Sequence, residues 1–411
     1  MSYTIFETFV GAGGSHLGFK NNGFKSIFVN DVEKNCIDTL LYNNPEIKET
    51  AVVKVQDMTT LDPNQILKEI KIKPGDLDVM FGGIVCKGFS LAGERSPSDP
   101  RNKFYQYQLN LVNVIRPKIS VIENVPGIVN AKILSNNTPK EIVKNVDELW
   151  QELENYKGLK ANARKNNLIT EEMEEKGKEL REKKKELVKE LEKNNYLISV
   201  SDDITNIYTE MGYKVKKKIL NSASFGSYTK RDRIIFVAIR NDINIEFKFP
   251  EPKYKDESEY LTVGDALKTI DYSLDDIDNR PMNHDIKTIT RFKYVKEGEN
   301  LAKIIDNLPD DLKISKFYSR GSTMRLDSKK PSPTLVPGHS NFPIHPFEDR
   351  CITVREAATI TGFPNDYKFF GNHTKRCEQV GNAVPPPLST AIAKECKTLL
   401  DKYYSNEKKD S

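Results

Sequence analysis

The sequence predicts an α/β fold that carries an inserted, charged helical hairpin and a second, smaller domain. Three observations predict it. Short apolar runs alternate with amphipathic stretches from the first residues onward, which is the strand–helix–strand rhythm of an α/β sheet. Between about residues 140 and 195 the chain becomes densely charged, and from 241 to about 325 its periodicity fades among scattered prolines. At roughly 100–200 residues per domain, a chain of 411 residues suggests two or three domains.

The apolar runs at 3–10, 26–29, 51–55, 77–81 and 119–122 read as strands. Four of them end in residues suited to turns or polar chemistry: Gly11-Ala12-Gly13-Gly14, Asn30-Asp31, Gln56-Asp57 and Gly82-Gly83. In open parallel sheets, ligands sit beyond the carboxyl ends of the strands. Within the charged stretch, residues 171–190 are about three quarters charged. Met173, Leu180, Leu187 and Leu191 recur there at helical spacing, which reads as a solvated helix or hairpin with a modest apolar stripe. Residues 213–220 and 233–239 then read as an antiparallel pair of strands.

The segment 241–325 contains Pro250, Pro252, Pro281 and Pro309, and a separate small domain is expected there. Its first half is acidic. The second half, continuing a little beyond it, carries Lys287, Arg291, Lys293, Lys296, Lys313, Lys316, Arg320, Arg325, Lys329 and Lys330, a local excess that suits a phosphate backbone or simply a mixed surface. Residues 354–360 and 388–400 read as helices, and the polar tail after Tyr404 is expected to fray.

Composition excludes several classes. The 63 Lys+Arg against 59 Asp+Glu leave a formal charge of +4, too small to advertise a polyanion partner without local clustering. The five cysteines, Cys36, Cys86, Cys351, Cys377 and Cys396, form no Cys-x-x-Cys pair, so no metal is expected and a reducing, intracellular compartment fits. The chain has no run of about 18 apolar residues, and its first residues lack a basic and then apolar leader, so membrane and secreted classes are not expected.

Four sites hold residues able to do chemistry. In Phe9-Val10-Gly11-Ala12-Gly13-Gly14 a strand turns through three glycines into a helix, letting a ligand approach the backbone, although a tight ligand-free turn uses the same residues. Asp31, about 20 residues after the loop, is placed to accept both hydroxyls of a ribose. Cys86 follows a buried strand in a glycine-containing loop, where Lys87 would favour the thiolate; a lone cysteine also serves as a small buried hydrophobe. Beyond it, residues 93–103 are polar and loop-like. Glu123-Asn124 ends another strand, where a partly desolvated carboxylate suits proton donation or a loop hydrogen bond. Period two sends Arg231 and Arg233 to one face, and paired guanidiniums suit carbonyl or phosphate oxygens.

The order of these sites resembles that of the DNA cytosine-5 methyltransferases. Residues 9–14 look like that family's cofactor loop, residues 83–90 like its nucleophile loop, Glu123-Asn124-Val125 like its acidic motif and Arg231-Asp232-Arg233 like its paired arginines. Pro331-Ser332-Pro333-Thr334, residues 352–358 with Gly362-Phe363-Pro364, and residues 379–386 complete the series. The likeness spans nearly the whole chain except the charged insertion and most of 241–325.

The resemblance implies a Rossmann-like S-adenosylmethionine-dependent methyltransferase sheet formed by residues 1–240 and 326–411, with a target-recognition domain at 241–325. It implies that a flipped cytosine is attacked at carbon 6 by Cys86, held at its ring nitrogen and amine by Glu123, and bound at its carbonyl by Arg233 with Arg231 nearby. Carbon 5 then takes a methyl group from S-adenosylmethionine, leaving S-adenosylhomocysteine. The cofactor site would comprise Phe9, Gly11, Ala12, Gly13, Gly14, Asp31, Val32, Asp57, Met58, Gly83 and Asn382. Contacts to double-stranded DNA would come from Lys87, Ser90, Arg101, Arg320 and Arg325. A monomeric cytoplasmic enzyme of a bacterial or phage restriction-modification system is implied, with a cognate restriction endonuclease acting on the same site. Val85, Lys87, Thr229 and Glu7 depart from the family's usual proline, glutamine, glutamine and aspartate. Transfer RNA as substrate, a DNA-binding regulator with a decayed site, and a nicotinamide-dependent dehydrogenase are the competing readings; the last leaves Cys86 and Gly381-Asn382 unexplained.

Overall fold

The computed structural model describes residues 2–84, 96–99, 104–314, 323–338 and 342–410. Its first half runs β1 (Thr4–Thr8), α1 (Gly14–Asn21), β2 (Lys25–Asp31), α2 (Lys34–Asn43), α3 (Ile47–Thr50), β3 (Val52–Val55), α4 (Pro63–Ile70), β4 (Val79–Gly83), α5 (Phe104–Ile115) and β5 (Ile119–Asn124). There follow β6 (Lys132–Leu134), α6 (Lys140–Lys165), α7 (Glu171–Lys193), β7 (Leu197–Ser199), α8 (Val200–Glu210), β8 (Tyr213–Asn221) and β9 (Asp232–Arg240). Short helices α9 (Val263–Lys268), α10 (Ile286–Tyr294) and α11 (Leu301–Ile304) precede α12 (Val354–Thr361), α13 (His373–Asn382) and α14 (Pro386–Asp410). The chain divides into two compact units, one of residues 1–84, 110–123 and 213–411, the other of residues 85–109 and 124–212.

The first unit is built on a seven-stranded sheet in the order β3-β2-β1-β4-β5-β9-β8. The pairings β2–β3, β1–β2, β1–β4 and β4–β5 are parallel, and β8–β9 is antiparallel from Tyr213↔Arg240 to Asn221↔Asp232, as the apolar runs predict. Every residue of β5 is buried, as expected of a central strand covered on both faces. The chain winds outward through β2 and β3, then returns to the other side of β1 through β4. This reversal makes the carboxyl ends of β1 and β4 a topological switch point, where a crevice for a ligand forms.

Helix α1 lies directly against the start of α14. A Cβ at Gly14 would fall 2.1 Å from the Val384 carbonyl oxygen, and one at Gly18 would fall 2.3 Å from Ser389 Oγ, so only glycine permits this approach. The Ser389 hydroxyl donates to the Gly14 carbonyl at 2.8 Å. The tail expected to fray after Tyr404 instead stays helical to Asp410. One tertiary bond and one within the helix explain the difference: Tyr404 donates to Asp78 at 2.6 Å, and Tyr403 bonds to Glu407 one turn on in α14.

Residues 241–325 fall within the first unit. Ile243 and Phe247 join the apolar cluster beneath the sheet, while Val263, Ala266, Leu267 and Phe292 join one built around α12. Buried ion pairs, Arg355–Asp276 at 2.7 Å and Arg376–Asp278 at 2.8 Å, fasten the segment to α12 and α13. One outer edge of the sheet is β8, where Lys214, Lys216, Lys217 and Lys218 are all exposed; the other is β3.

The charged stretch forms α6 and α7 in the second unit. Val146, Trp150 and Leu191 close a small core with Leu134, and Leu180 is also buried. Gly177 lets Tyr156 lie against α7, whose Met173 carbonyl accepts from the Tyr156 hydroxyl at 2.7 Å. Lys160–Glu174 and Lys176–Glu152 link the helices at 2.7 and 2.9 Å. At the foot, β6 and β7 pair antiparallel and Ser135 N bonds to Tyr196 O at 2.9 Å, so the insertion leaves and re-enters at one place.

Candidate active site

The ends of β1, β4 and β5 converge. Strand β1 stops at Thr8 because Phe9 turns into the left-handed region at φ 50°, followed by Gly11 at 54° and Gly13 at 89°. For the non-glycine Phe9 this conformation costs on the order of 1–3 kcal/mol and persists only where the surroundings enforce it. They do so here: Val10 N bonds to Asn30 O at 3.1 Å, Gly13 N to Val10 O at 3.0 Å and Gly11 N to Asp31 Oδ2 at 2.8 Å. Beneath the loop, the buried Glu7 carboxylate meets His16 Nδ1 at 2.8 Å and accepts from Ser26 Oγ at 2.9 Å. Glu7 thus binds β1 to α1 and β2 from below, a role its extra methylene can reach.

Asp31 is the carboxylate expected at a ribose. Its other oxygen accepts from Glu33 N at 2.9 Å, leaving one lone pair on each oxygen for a ligand hydroxyl. Burial raises its pKa above the usual carboxylate value, against the backbone N–H groups of Glu33, Gly11 and Val32. Next to it Val32 is 62% exposed, an apolar surface available to a flat ring. Asp57 is exposed and caps a short 3-10 turn through Thr59 N at 2.9 Å, and Met58 behind it is buried.

On the opposite side Glu123 and Arg233 are both nearly buried and form an ion pair, Arg233 Nε to Glu123 Oε1, at 2.5 Å. Arg233 also donates to Asp232 O at 2.7 Å. Arg231 is buried and donates to Leu335 O at 3.2 Å, while its Nε has no partner. Burial, with the like charge of Arg233, pushes its pKa down to about 9, which leaves it cationic at neutral pH. Thr229 does not face a ligand: its hydroxyl donates to Pro333 O at 3.0 Å, within a bridge that ties Thr229 to Ser332.

Gly83 separates the two halves. A Cβ there would lie 3.6 Å from Glu123 Oε2, 3.7 Å from Phe9 O and 4.0 Å from Val384 Cγ2, so the missing side chain is the space between the glycine loop and the acid. Val384 follows the exposed Asn382 by two residues, so the C-terminal motif does return to the strand ends. Gly381 lets that turn pack onto Pro337, whose Cα a Cβ would meet at 2.5 Å.

Cys86, Lys87, Ser90, Arg101 and Arg320 lie outside the described residues. In the sequence Cys86 follows the last residue of β4 by three positions. The other cysteines, Cys36, Cys351, Cys377 and Cys396, are free thiols that burial pushes upward, Cys351 and Cys377 to about 12, so none is a nucleophile at neutral pH. Arg325, expected at DNA, is corrected to a structural anchor. It is buried, and its guanidinium donates to the carbonyls of Val295, Phe292, His345 and Glu348 and to Asp349, all at 2.6–2.8 Å. Those bonds use its five donors, leaving none for a phosphate. Val384 falls within the motif at residues 379–386 but had no role assigned to it, and the buried Tyr367, three residues beyond Pro364, was not among the residues expected at the site.

The C-5 cytosine-specific DNA methylase family model matches residues 3–155 and 185–398. Type II methyltransferase M1.HphI of Haemophilus parahaemolyticus is 31% identical over 96% of this chain and 86% of its own length. Type II methyltransferase M.DdeI of Desulfomicrobium norvegicum is 28% identical over 95% and 87%. Among solved structures, a putative DNA modification methyltransferase encoded within an Escherichia coli prophage superposes with a TM-score of 0.64 at 21% identity, covering 97% of this chain and all of that one. The unmatched residues 156–184 fall within the helical hairpin.

Proposed function

Because the chain belongs to the C-5 cytosine-specific DNA methylase family and is a DNA cytosine-5-methyltransferase, we propose that Cys86 is the nucleophile of its reaction. Its substrate is a cytosine flipped out of a short, specific sequence in double-stranded DNA, since the reacting edge is out of reach while stacked. The observation that carries this reading is the Glu123–Arg233 pair at the strand ends, with the side-chain-free Gly83 between it and the glycine loop. A planar base on the acid side and a donor on the loop side would meet across that gap.

The Cys86 thiolate adds to carbon 6 of the ring, and carbon 5 becomes nucleophilic as that bond forms. Glu123 engages the ring nitrogen and the exocyclic amine, drawing off the charge the addition creates. Arg233 holds Glu123 in place and binds the ring carbonyl, with Arg231 adding positive charge beside it. Loss of the carbon-5 proton then expels the cysteine and restores the ring.

The residues of the glycine loop fit S-adenosylmethionine: Asp31 has lone pairs for two ribose hydroxyls, Val32 an open apolar face, and residues 9–14 a backbone a ligand can approach. Bound there, it supplies an electrophilic methyl group. Asp57, Met58 and Asn382 complete the pocket. Lys87, Ser90, Arg101 and Arg320 contact DNA, and residues 241–325 supply the base-edge contacts as a target-recognition domain. The type II names of the relatives support a restriction-modification setting; a cognate endonuclease acting on the same site and a cytoplasmic, monomeric enzyme belong to the same reading. No helix among the described residues is long and apolar enough to cross a membrane.

The test is methyl incorporation from labelled S-adenosylmethionine into unmethylated DNA and, in parallel, bulk transfer RNA, with the product mapped at base resolution. Label at cytosine carbon 5 in one short DNA motif is expected; label confined to RNA overturns the substrate. Cys86→Ser should lower transfer by roughly a thousandfold or more while cofactor affinity stays within a few-fold. Full activity in that variant removes the nucleophile assignment.

A further inference from the structure

We infer that Tyr367 is a positioning residue for the methyl donor, an inference that rests on reading residues 9–14 as the S-adenosylmethionine site. The loop is strained at Phe9 and passes through Gly11 and Gly13 in left-handed conformations, so its shape depends on what holds it. Most of its ties come from nearby strand ends or from the helix packed on it: Asn30 and Asp31 of β2, and Ser389 of α14. The carbonyl of Ala12, at the crest of the turn, is held differently. It accepts from the hydroxyl of Tyr367, 355 residues away, at 2.5 Å.

The hydroxyl is fixed in space. The Tyr367 ring is buried and packs against Phe363 and Phe369, with centroids 5.0 and 5.5 Å away. The oxygen also limits the loop sterically, since a Cβ at Gly13 would lie 2.7 Å from it and 2.7 Å from Leu40 Cδ1. Burial raises the phenol far above its ordinary pKa, so it remains a donor throughout the working pH range. The bond therefore fixes the orientation of the peptide between Ala12 and Gly13, on the loop that a ligand must approach. Without it, the buried carbonyl loses its donor and the peptide is free to turn toward another. Tyr367 touches none of the reacting groups, so the cost should fall on donor binding and leave the chemical step alone.

The test compares Tyr367→Phe with Tyr404→Phe. The second variant also removes one hydroxyl from the same unit, the one bonded to Asp78, and serves as a control for loss of stability. Calorimetric binding of S-adenosylmethionine and steady-state kinetics are measured for both variants and the unaltered chain. Tyr367→Phe should weaken donor affinity and raise its KM by roughly five- to twentyfold. Its kcat at saturating donor and its DNA affinity should stay within about twofold, and Tyr404→Phe should leave all of these unchanged. Donor affinity within twofold of normal in Tyr367→Phe, or an equal loss in both variants, overturns the positioning role. Failure of the unaltered chain to bind S-adenosylmethionine would instead sink the reading of the loop itself.

Discussion

Asp31 joins the loop's shape to its ligand. One oxygen holds Gly11 N and the other Glu33 N, so the group that would meet a ribose also sets the backbone around it. Asp31→Ala should weaken S-adenosylmethionine binding by about a hundredfold, the loss of charge-assisted bonds to two hydroxyls, while DNA affinity changes by less than about twofold. Calorimetry with each ligand separately checks this, and the reverse pattern removes the ribose role. Single residues were legible where their chemistry is local in sequence. Asp31 and Gly83 end β2 and β4, and Glu123 is the last residue but one of β5, each at a carboxyl end as the apolar runs predict. Arg325 was not legible, because its five acceptors come from residues 292–295 and 345–349, and nothing in a run of basic residues reveals that one of them is enclosed. Tyr367 was hidden for the same reason, since its partner is at the other end of the chain.

At the scale of elements, apolar periodicity located the seven strands of the large sheet to within a few residues, but not the short β6 and β7. The antiparallel β8–β9 pair followed from two apolar runs joined by a glycine-containing connection. The end of α14 was misjudged because a polar tail was taken as free, whereas Tyr404 finds Asp78 on the strand side of the fold. The hairpin of α6 and α7 carries its own core and its own ion pairs, and its two ends already meet at Ser135 and Tyr196. Replacing residues 140–195 with a short linker should therefore leave a folded enzyme with activity reduced by no more than roughly tenfold, since closing a loop of this length is only weakly length-dependent. The methyl-incorporation assay and a thermal melt decide this together. Abolished transfer in a variant that still melts cooperatively would give the hairpin a function.

For the whole molecule, the first unit is held together by its last helix. Leu388, Ile392, Ala393, Cys396, Leu399 and Leu400 of α14 are buried against the strands, and Gly14 and Gly18 press α1 onto the start of that helix. Ending the chain before Gly381 should therefore abolish cofactor binding by dismantling the fold. The expected readout is loss of the cooperative melting transition. A variant that melts normally but binds no S-adenosylmethionine would confine the contribution of the segment to the pocket. The sheet itself stops at β8, whose far side has no strand beside it among the described residues. An unpaired strand is a template on which any other extended chain can add. A newcomer pairing there would have to strip water from the exposed Lys214 and Lys218 side chains and crowd them against its own backbone. The lysines thus act as a guard against fibre-like growth at this end of the sheet.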